Sequence, residues 1–317
     1  MERHLWFALL AVLSACGPNA WVPADADLGD GGLEDTGGDA GSDAEAPVDG
    51  STDGDVGDVG EVEDAGPDGD ADTDVDADGD AGEDADEEPL DPCEPIAGAS
   101  YTTLSREGAP TDRPAPDHGD LNMRLRGWEP TGGTLGIIDI PPSPDDDPGA
   151  PQLYALFTDD RTPVFSSNYS VYEWDWSCDC RGALNDDYDV TVAGLATVRG
   201  EVLEVPDGGY DIGGGYEVLV LYVDDVSITL KYTREDNVVY GYTVHLEGVC
   251  VDPDLFALYR ECDERYPFGD PRHRETLPAL RGNQPFGRAR GEEVRVAIRD
   301  TGRYMDPRAR KDWWIGR

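Results

Sequence analysis

Three features of the sequence predict a single mainly β domain, a sandwich or a barrel-like sheet with one or two short helices, preceded by a disordered N-terminal segment. Residues 226–233 alternate apolar and polar side chains, residues 218–223 are continuously apolar, and residues 17–91 have an acidic low-complexity composition. The first two patterns are typical of β-strands. The third is typical of a chain that has too little apolar surface to fold.

The N-terminus predicts export. A charged stretch, Met1–His4, precedes an apolar run, Leu5–Leu13. The run is too short to cross a hydrocarbon core of about 30 Å as a helix, but it has the length of a signal-peptide core. The residues Leu13–Cys16 resemble the lipobox of bacterial lipoproteins. This resemblance implies that residues 1–15 are a cleaved signal peptide and that Cys16 carries the lipid. The alternative is an ordinary signal peptide with an incidental cysteine.

Residues 16–91 are predicted to form a lipid anchor followed by a disordered linker. The segment Gly17–Asp91, which we call the acidic tether, contains 28 Asp and Glu residues and no Lys or Arg. Like-charge repulsion should keep it extended. Because Gly17 and not an aspartate follows Cys16, the expected location is the outer membrane or the cell surface, with attachment through acyl chains such as palmitate.

Part of the acidic tether resembles the start of a calcium-binding loop. Asp74, Asp76 and Asp78 have the spacing of its first ligands. However, Ala85 stands at the position where a bidentate carboxylate is needed. We therefore expect weak calcium association with a polyanion and no defined site.

The folded domain is predicted to span residues 92–317. Within it, Val218–Val223 is expected to be a strand covered on both faces, and Asp224-Asp225 a hairpin turn. Val226–Thr233 is expected to be a half-buried strand. The other predicted elements are strands through Tyr240–Leu246 and Val294–Ile298 and a helix over Asp252–Arg265, with Asp252 as its N-cap.

The segment Val171–Arg181 contains three aromatic residues at a spacing of two. In an extended strand Tyr172, Trp174 and Trp176 share one side with Cys178 and Cys180. We predict an aromatic core strand that ends in half of a disulfide. The alternative is an aromatic platform for sugar rings beside carboxylates.

Five cysteines remain when Cys16 carries lipid, and an exported protein can form disulfides. Two disulfides and one free thiol among Cys93, Cys178, Cys180, Cys250 and Cys262 are the simplest expectation, with the pairing left open. Cys178 and Cys180 should not pair while their strand stays extended, because residues i and i+2 lie about 6.6 Å apart along it.

The charge of the domain excludes nucleic acid as a partner. Residues 92–317 contain 40 acidic and 23 basic side chains, whereas nucleic-acid binding requires a basic face. No P-loop, dinucleotide fingerprint or Gly-x-Ser-x-Gly elbow is present, and no cofactor is predicted.

Three motifs of the domain resemble those of lysostaphin-like (LytM) zinc endopeptidases. Arg113 to Asn122, which contains His118, resembles the first metal motif. Tyr242–Leu246, which contains His245, resembles the Tyr-x-His-Leu strand, and Gln284–Gly287 resembles the turn before the last strand. The resemblance implies a β domain with a metal site.

Two departures from this pattern imply a scaffold without its metal. Asn122 stands where the family has an aspartate ligand, and residues Arg295–Ala297 stand where it has His-x-His. Zinc hydrolysis needs three protein ligands and an activated water. No metal and no catalytic residue are therefore predicted.

The sequence favours a lipid-anchored envelope protein whose β domain has a non-catalytic binding or structural role, with a cell-wall or surface polymer as partner. The alternative is a cell-wall or glycan hydrolase that uses the LytM-like motifs or carboxylates. Candidate ligand-contacting residues are Arg234, Glu235, Asp236, His245 and His118. Convergence of His118, His245 and Asp236 in one cleft would favour the enzyme, and their dispersal would favour the binding protein.

Overall fold

A computed structural model describes residues 93–140 and 147–317 of the chain. The predicted signal peptide, Cys16, the acidic tether and its calcium-like loop lie outside these residues. The described part contains strands β1 (Thr102–Ser105), β2 (Trp128–Pro130), β3 (Phe165–Asp175), β4 (Cys180–Leu184), β5 (Val192–Ala196), β6 (Val202–Glu204), β7 (Val218–Val223), β8 (Ser227–Lys231), β9 (Tyr242–Glu247), β10 (Val249–Val251), β11 (Thr276–Leu280), β12 (Pro285–Ala289), β13 (Glu293–Asp300) and β14 (Arg303–Met305).

The mainly β class predicted from the sequence is confirmed. The described residues also contain helices α1 (Met123–Arg126), α2 (Pro253–Glu264) and α3 (Arg310–Trp313). The predicted helix is α2, and the Asp252 carboxylate accepts a hydrogen bond from the Asp254 amide at its start. The other two helices are single turns, too short for a periodic pattern to reveal. No helix in the described ranges has the length and apolar character needed to cross a membrane.

The strands form two antiparallel sheets. The larger has the order β1-β11-β7-β8-β9-β13-β5-β3-β2, with β14 and β4 attached to β13 and β3. The smaller has the order β10-β12-β6. Since β1 and β2 at the two ends of the large sheet do not pair with each other, the sheet is open and the barrel alternative is wrong. The main apolar core contains residues of both sheets, such as Leu230 and Phe286.

Strand β7 is covered on both faces, as its apolar run predicts. Val218 and Val220 belong to the main core, whereas Leu219 and Leu221 belong to a second apolar cluster on the other face. The turn at Asp224-Asp225 is also confirmed, because β7 and β8 pair as an antiparallel hairpin around it. Strands β9 and β13 correspond to the other two predicted strands.

The prediction of a half-buried strand at Val226–Thr233 is wrong. The polar side chains of β8 are buried as deeply as the apolar ones, with Thr229 2% and Lys231 0% exposed. Residues 118–126, which we call the covering segment, lie over this polar face. The Thr229 hydroxyl donates to the Leu121 carbonyl at 2.8 Å. In β8 the apolar side chains therefore face the main core, and the polar side chains face a second buried layer under the covering segment instead of solvent.

The structure has two disulfides and one free thiol in the described residues, as expected from the cysteine count. Cys93 pairs with Cys250, Cys178 pairs with Cys180, and Cys262 is free and buried. The expectation that Cys178 and Cys180 stay unpaired assumed an extended strand through both residues, and the structure does not have one. Strand β3 ends at Asp175, and the chain turns before β4 begins at Cys180, so the two Cα atoms are only 5.3 Å apart.

The aromatic residues of β3 do not form the predicted core strand. Tyr172 and Trp174 are half-buried, and Trp176 is 46% exposed. The ring of Trp174 lies directly against Gly119 of the covering segment, where a Cβ atom would be 2.5 Å from it. This side of β3 therefore packs on the covering segment and not on the main core.

Candidate functional site

A cleft of about 590 Å³ opens where β8 and β13 end and β9 begins. We call it the tyrosine cleft, because Tyr210, Tyr232 and Tyr242 line it. Its charged lining residues are Glu107, Asp147, Asp211, Arg234, Glu235 and Asp300. The cleft thus combines aromatic rings with five carboxylates and a single guanidinium, a composition typical of sites that bind hydroxyl-bearing or cationic ligands.

The connection from β8 to β9 forms one wall of the cleft. Its backbone is held against the start of the domain by a hydrogen bond from the Glu107 amide to the Arg234 carbonyl at 2.7 Å. The connection ends at Gly241, whose φ of +68° lies in the left-handed region and whose Cβ position is 2.7 Å from Thr233 Cγ2. Both constraints require glycine at this position.

Lys231 stabilises the backbone of this wall. Its ammonium group donates to the carbonyl oxygens of Tyr240 and Gly241. Burial lowers the pKa of Lys231 to about 8, and the nearby Glu235 carboxylate acts in the opposite direction. The lysine side chain is therefore used to order the backbone that lines the cleft and does not itself line it.

Two tyrosines of the cleft are fixed by one carboxylate. Tyr242 and Tyr210 donate to Asp147 at 2.8 and 3.1 Å, and the Gly149 amide donates at 2.8 Å. Burial acts to raise the pKa of Asp147, but these hydrogen bonds outweigh it and hold the pKa below its usual range. Tyr242 also packs edge-on against Trp313, with ring centroids 5.6 Å apart. The aromatic wall is therefore preorganised.

The cation of the cleft already has partners within the protein. Arg234 donates through Nε to the Ser105 carbonyl at 2.9 Å and pairs with Glu107 at 3.0 Å. By contrast, the buried Oε2 atom of Glu235 and the buried hydroxyl of Thr233 have no hydrogen-bond partner in the described residues. Within the described residues, the Asp300 carboxylate accepts only from the neighbouring Thr301 hydroxyl. Among the lining carboxylates, Glu235 and Asp300 are therefore the two that no cation or backbone amide of the described residues holds.

Asp236, the next residue along the chain, was predicted to contact a ligand, but the structure places it in the interior. It is 1% exposed and pairs with the fully buried Arg274 through two hydrogen bonds of 2.9 and 3.0 Å. Arg274 also donates to Asp263 and to the Leu221 carbonyl. This ion pair joins the β8–β9 connection to α2 and β7, which is a structural role.

His245 was also predicted to contact a ligand, but it is 1% exposed and lies beneath the covering segment. The Thr229 hydroxyl gives its proton to the Leu121 carbonyl, so the hydrogen bond of 3.0 Å between Thr229 and His245 must be donated by Nδ1. Burial and the neighbouring Arg299 and Arg126 hold the pKa of His245 well below its usual range. The ring is therefore neutral.

His118 has partners of its own. Its Nδ1 accepts from the Asp120 amide at 3.1 Å, and its ring contacts Trp176 edge-on with centroids 5.2 Å apart. Burial lowers the pKa of His118. No hydrogen bond or ring contact joins His118, His245 or Asp236 to one another in the described residues. Of the five candidate residues, only Arg234 and Glu235 line the tyrosine cleft.

The residues of the LytM-like motifs have other partners. Asn122 caps α1, with its oxygen accepting from the Arg124 amide and its nitrogen donating to the Pro116 carbonyl. Ala297 lies opposite His245 in the register of β13 and β9. Across residues 93–140 and 147–317, no group of three or more His, Cys, Asp and Glu side chains is placed to hold a metal ion.

Two arrangements of residues that are distant in the chain could not be predicted from the sequence. Tyr210 and Tyr242 meet Asp147 only because the fold brings two connecting segments to the first residue of β9. In the covering segment, Asp120 accepts hydrogen bonds from Arg126 and from Arg299 of β13. No local motif contains either arrangement. Comparison with protein-family models, with curated proteins and with solved structures gives no significant match to this chain.

Proposed function

We propose that this chain is a lipid-anchored protein of the bacterial cell envelope whose β domain binds a neutral or amine-bearing envelope polymer in the tyrosine cleft. The observation that carries the proposal is the arrangement of the cleft itself. Fixed tyrosine rings line the same cleft as Glu235 and Asp300, two carboxylates that accept no hydrogen bond from the described residues beyond that of the Thr301 hydroxyl.

The charge of the cleft selects among ligand classes. Carboxylates accept hydrogen bonds from hydroxyl and ammonium groups, and tyrosine rings pack on sugar faces or attract cations. A phosphate-rich or uronic-acid polymer would be repelled, because Arg234 is already paired with Glu107. A glycan with free amino groups satisfies both the rings and the carboxylates, and it is the ligand class that we favour.

The N-terminal part of the chain supports the location. The lipobox-like residues Leu13–Cys16 supply an attachment atom, and two acyl chains are enough for stable anchoring. The acidic tether would then hold the domain away from the membrane, where a flexible uncharged chain of its length would span about 45–50 Å. Self-repulsion of the tether would extend this distance further.

The test is calorimetric titration of the chain from residue 17 onward with a glucosamine tetrasaccharide, and separately with its N-acetylated form. We expect binding of the amine form to weaken by at least about tenfold in the Glu235→Gln, Asp300→Asn double variant, which corresponds to about 1.4 kcal/mol. Asp225→Asn is the matched control, because Asp225 is exposed in the β7–β8 turn.

The acidic tether would attract any cation, so binding by itself does not test the proposal. The test is the difference in affinity between the cleft variant and the Asp225→Asn control. Equal affinity of the double variant and wild type for both sugars would overturn the proposal. Release of soluble fragments from purified peptidoglycan, lost in the same double variant, would instead favour the hydrolase alternative.

A further inference from the structure

The hairpin of β3 and β4 ends in an exposed disulfide between Cys178 and Cys180. It closes a ring of only three residues. The other disulfide of the described residues, Cys93–Cys250, joins positions 157 residues apart, and Cys250 is buried. The two bonds therefore provide an internal comparison between an exposed short-loop disulfide and a buried long-loop disulfide.

Stabilisation of the fold does not account for the short disulfide. A cross-link stabilises a protein mainly by restricting the unfolded chain, and the restriction increases with the length of the closed loop. A three-residue ring restricts very little. Exposed disulfides are also those that small thiols and other proteins can reach, and they are more easily reduced than buried structural ones.

The turn that contains Cys178 and Cys180 is held in place by contacts other than the disulfide. Trp174 donates through its indole nitrogen to Asp179 at 3.1 Å, and Arg113 also pairs with Asp179. The Asp175 carboxylate accepts from the Ser177 amide at 2.9 Å. Opening the disulfide would leave these contacts intact, so the two sulfur atoms would stay close together in the dithiol form.

We propose that Cys178–Cys180 is a thiol–disulfide exchange site that accepts electrons from dithiols of other exported polypeptides. A thiolate of the polypeptide attacks the sulfur of one cysteine, the Cys178–Cys180 bond breaks, and the other cysteine leaves as a thiolate. The second thiol of the polypeptide then loses its proton to water and attacks the polypeptide's own sulfur in the mixed disulfide. The products are an oxidised polypeptide and a Cys178/Cys180 dithiol, with two electrons transferred.

The surroundings suit an unfolded or extended polypeptide as the partner. Trp176 is 46% exposed beside the disulfide and offers an apolar surface, with the Arg113 guanidinium 5.0 Å from its ring centroid. Both cysteines are exposed, Cys178 in the turn between β3 and β4 and Cys180 at the start of β4. The proposal does not depend on the tyrosine cleft.

The first test is equilibration of the chain from residue 17 onward in glutathione buffers of graded thiol/disulfide ratio, followed by alkylation and peptide mass spectrometry. We expect Cys178–Cys180 to be half-reduced in buffers at least about tenfold less reducing than those that open Cys93–Cys250. Reduction of both disulfides together, or only when the protein unfolds, would overturn the proposal.

The second test is single-turnover oxidation of a synthetic peptide dithiol under anaerobic conditions. Wild type should yield about one equivalent of peptide disulfide per chain, and Cys178→Ser/Cys180→Ser should yield none. Cys262→Ser is the control and should match wild type, because Cys262 is a buried free thiol. A thermal midpoint of the double variant close to wild type would show that the loss is chemical. Absence of peptide oxidation by wild type would overturn the proposal.

Discussion

Replacing Glu247 with glutamine tests whether the carboxyl group at the end of β9 is as deeply buried as the structure indicates. Glu247 ends β9 and is 4% exposed, and its nearest cation is Arg124, with Nε 4.0 Å from the carboxylate. Burial, followed by repulsion from Asp224, raises the pKa of Glu247 from 4.5 to about 8. The folded protein therefore retains this proton at pH values where the unfolded chain has lost it.

The sign and size of the effect follow from linkage. Because the pKa is raised in the folded state, stability is unaffected by Glu247 below about pH 4.5 and falls as the pH rises to about 8. A difference between 4.5 and 8 corresponds to a loss of at most about 5 kcal/mol. Glutamine has nearly the same shape and cannot ionise. We expect Glu247→Gln to match wild type at pH 4 and to be more stable by about 3–5 kcal/mol at pH 8.5.

Urea unfolding at a series of pH values, with both disulfides intact, measures this difference. Glu292→Gln is the matched control, because Glu292 is exposed just before β13 and should shift stability by less than about 0.5 kcal/mol. Since all other titrating groups are shared, they cancel between wild type and variant. Parallel pH profiles for wild type and Glu247→Gln would show that Glu247 is solvated and would refute the reasoning.

Four further outcomes are expected. Arg274→Met should lower the free energy of unfolding by about 3–5 kcal/mol, because it leaves Asp236 buried without its partner, and adding Asp236→Leu should recover most of the loss in a double-mutant cycle. Cys250→Ser should lower it by about 2–5 kcal/mol in urea, because a loop closed between residues 157 apart is released. Cys16→Ser should abolish fatty-acid labelling and move the protein to the soluble fraction. Deleting residues 20–88 should leave the thermal midpoint of the domain within about one degree, and a loss of several degrees would contradict this.

The elements that the sequence predicts well are those whose pattern depends on their own neighbours. Helix α2 begins with Asp252 and Pro253, and both act locally at its N-terminus. Strand β7 is apolar throughout because both of its faces are covered by apolar residues. In these cases the local sequence pattern agrees with the tertiary environment, so the pattern predicts the element correctly.

The prediction for β8 failed because its environment is set by a segment about a hundred residues earlier. The alternation of apolar and polar residues is real, and it normally indicates one face in solvent. Here the covering segment buries the polar face and supplies its hydrogen-bond partners, such as the Leu121 carbonyl for Thr229. A buried polar layer of this kind has the same local sequence pattern as a solvated one.

Burial by distant elements also separates the candidate residues. Carboxylates and imidazoles commonly carry chemistry, yet Asp236 and His245 are each buried with a partner from another element, Arg274 for Asp236 and Thr229 for His245. Glu235 adjoins Asp236 in the chain but lines the cleft, and one of its oxygens has no hydrogen-bond partner among the described residues. Residue type therefore could not separate the two adjacent carboxylates. The difference between them arises because the turn before β11 places Arg274 beside Asp236. A candidate ligand site is therefore better recognised from polar side chains without a hydrogen-bond partner than from residue types alone.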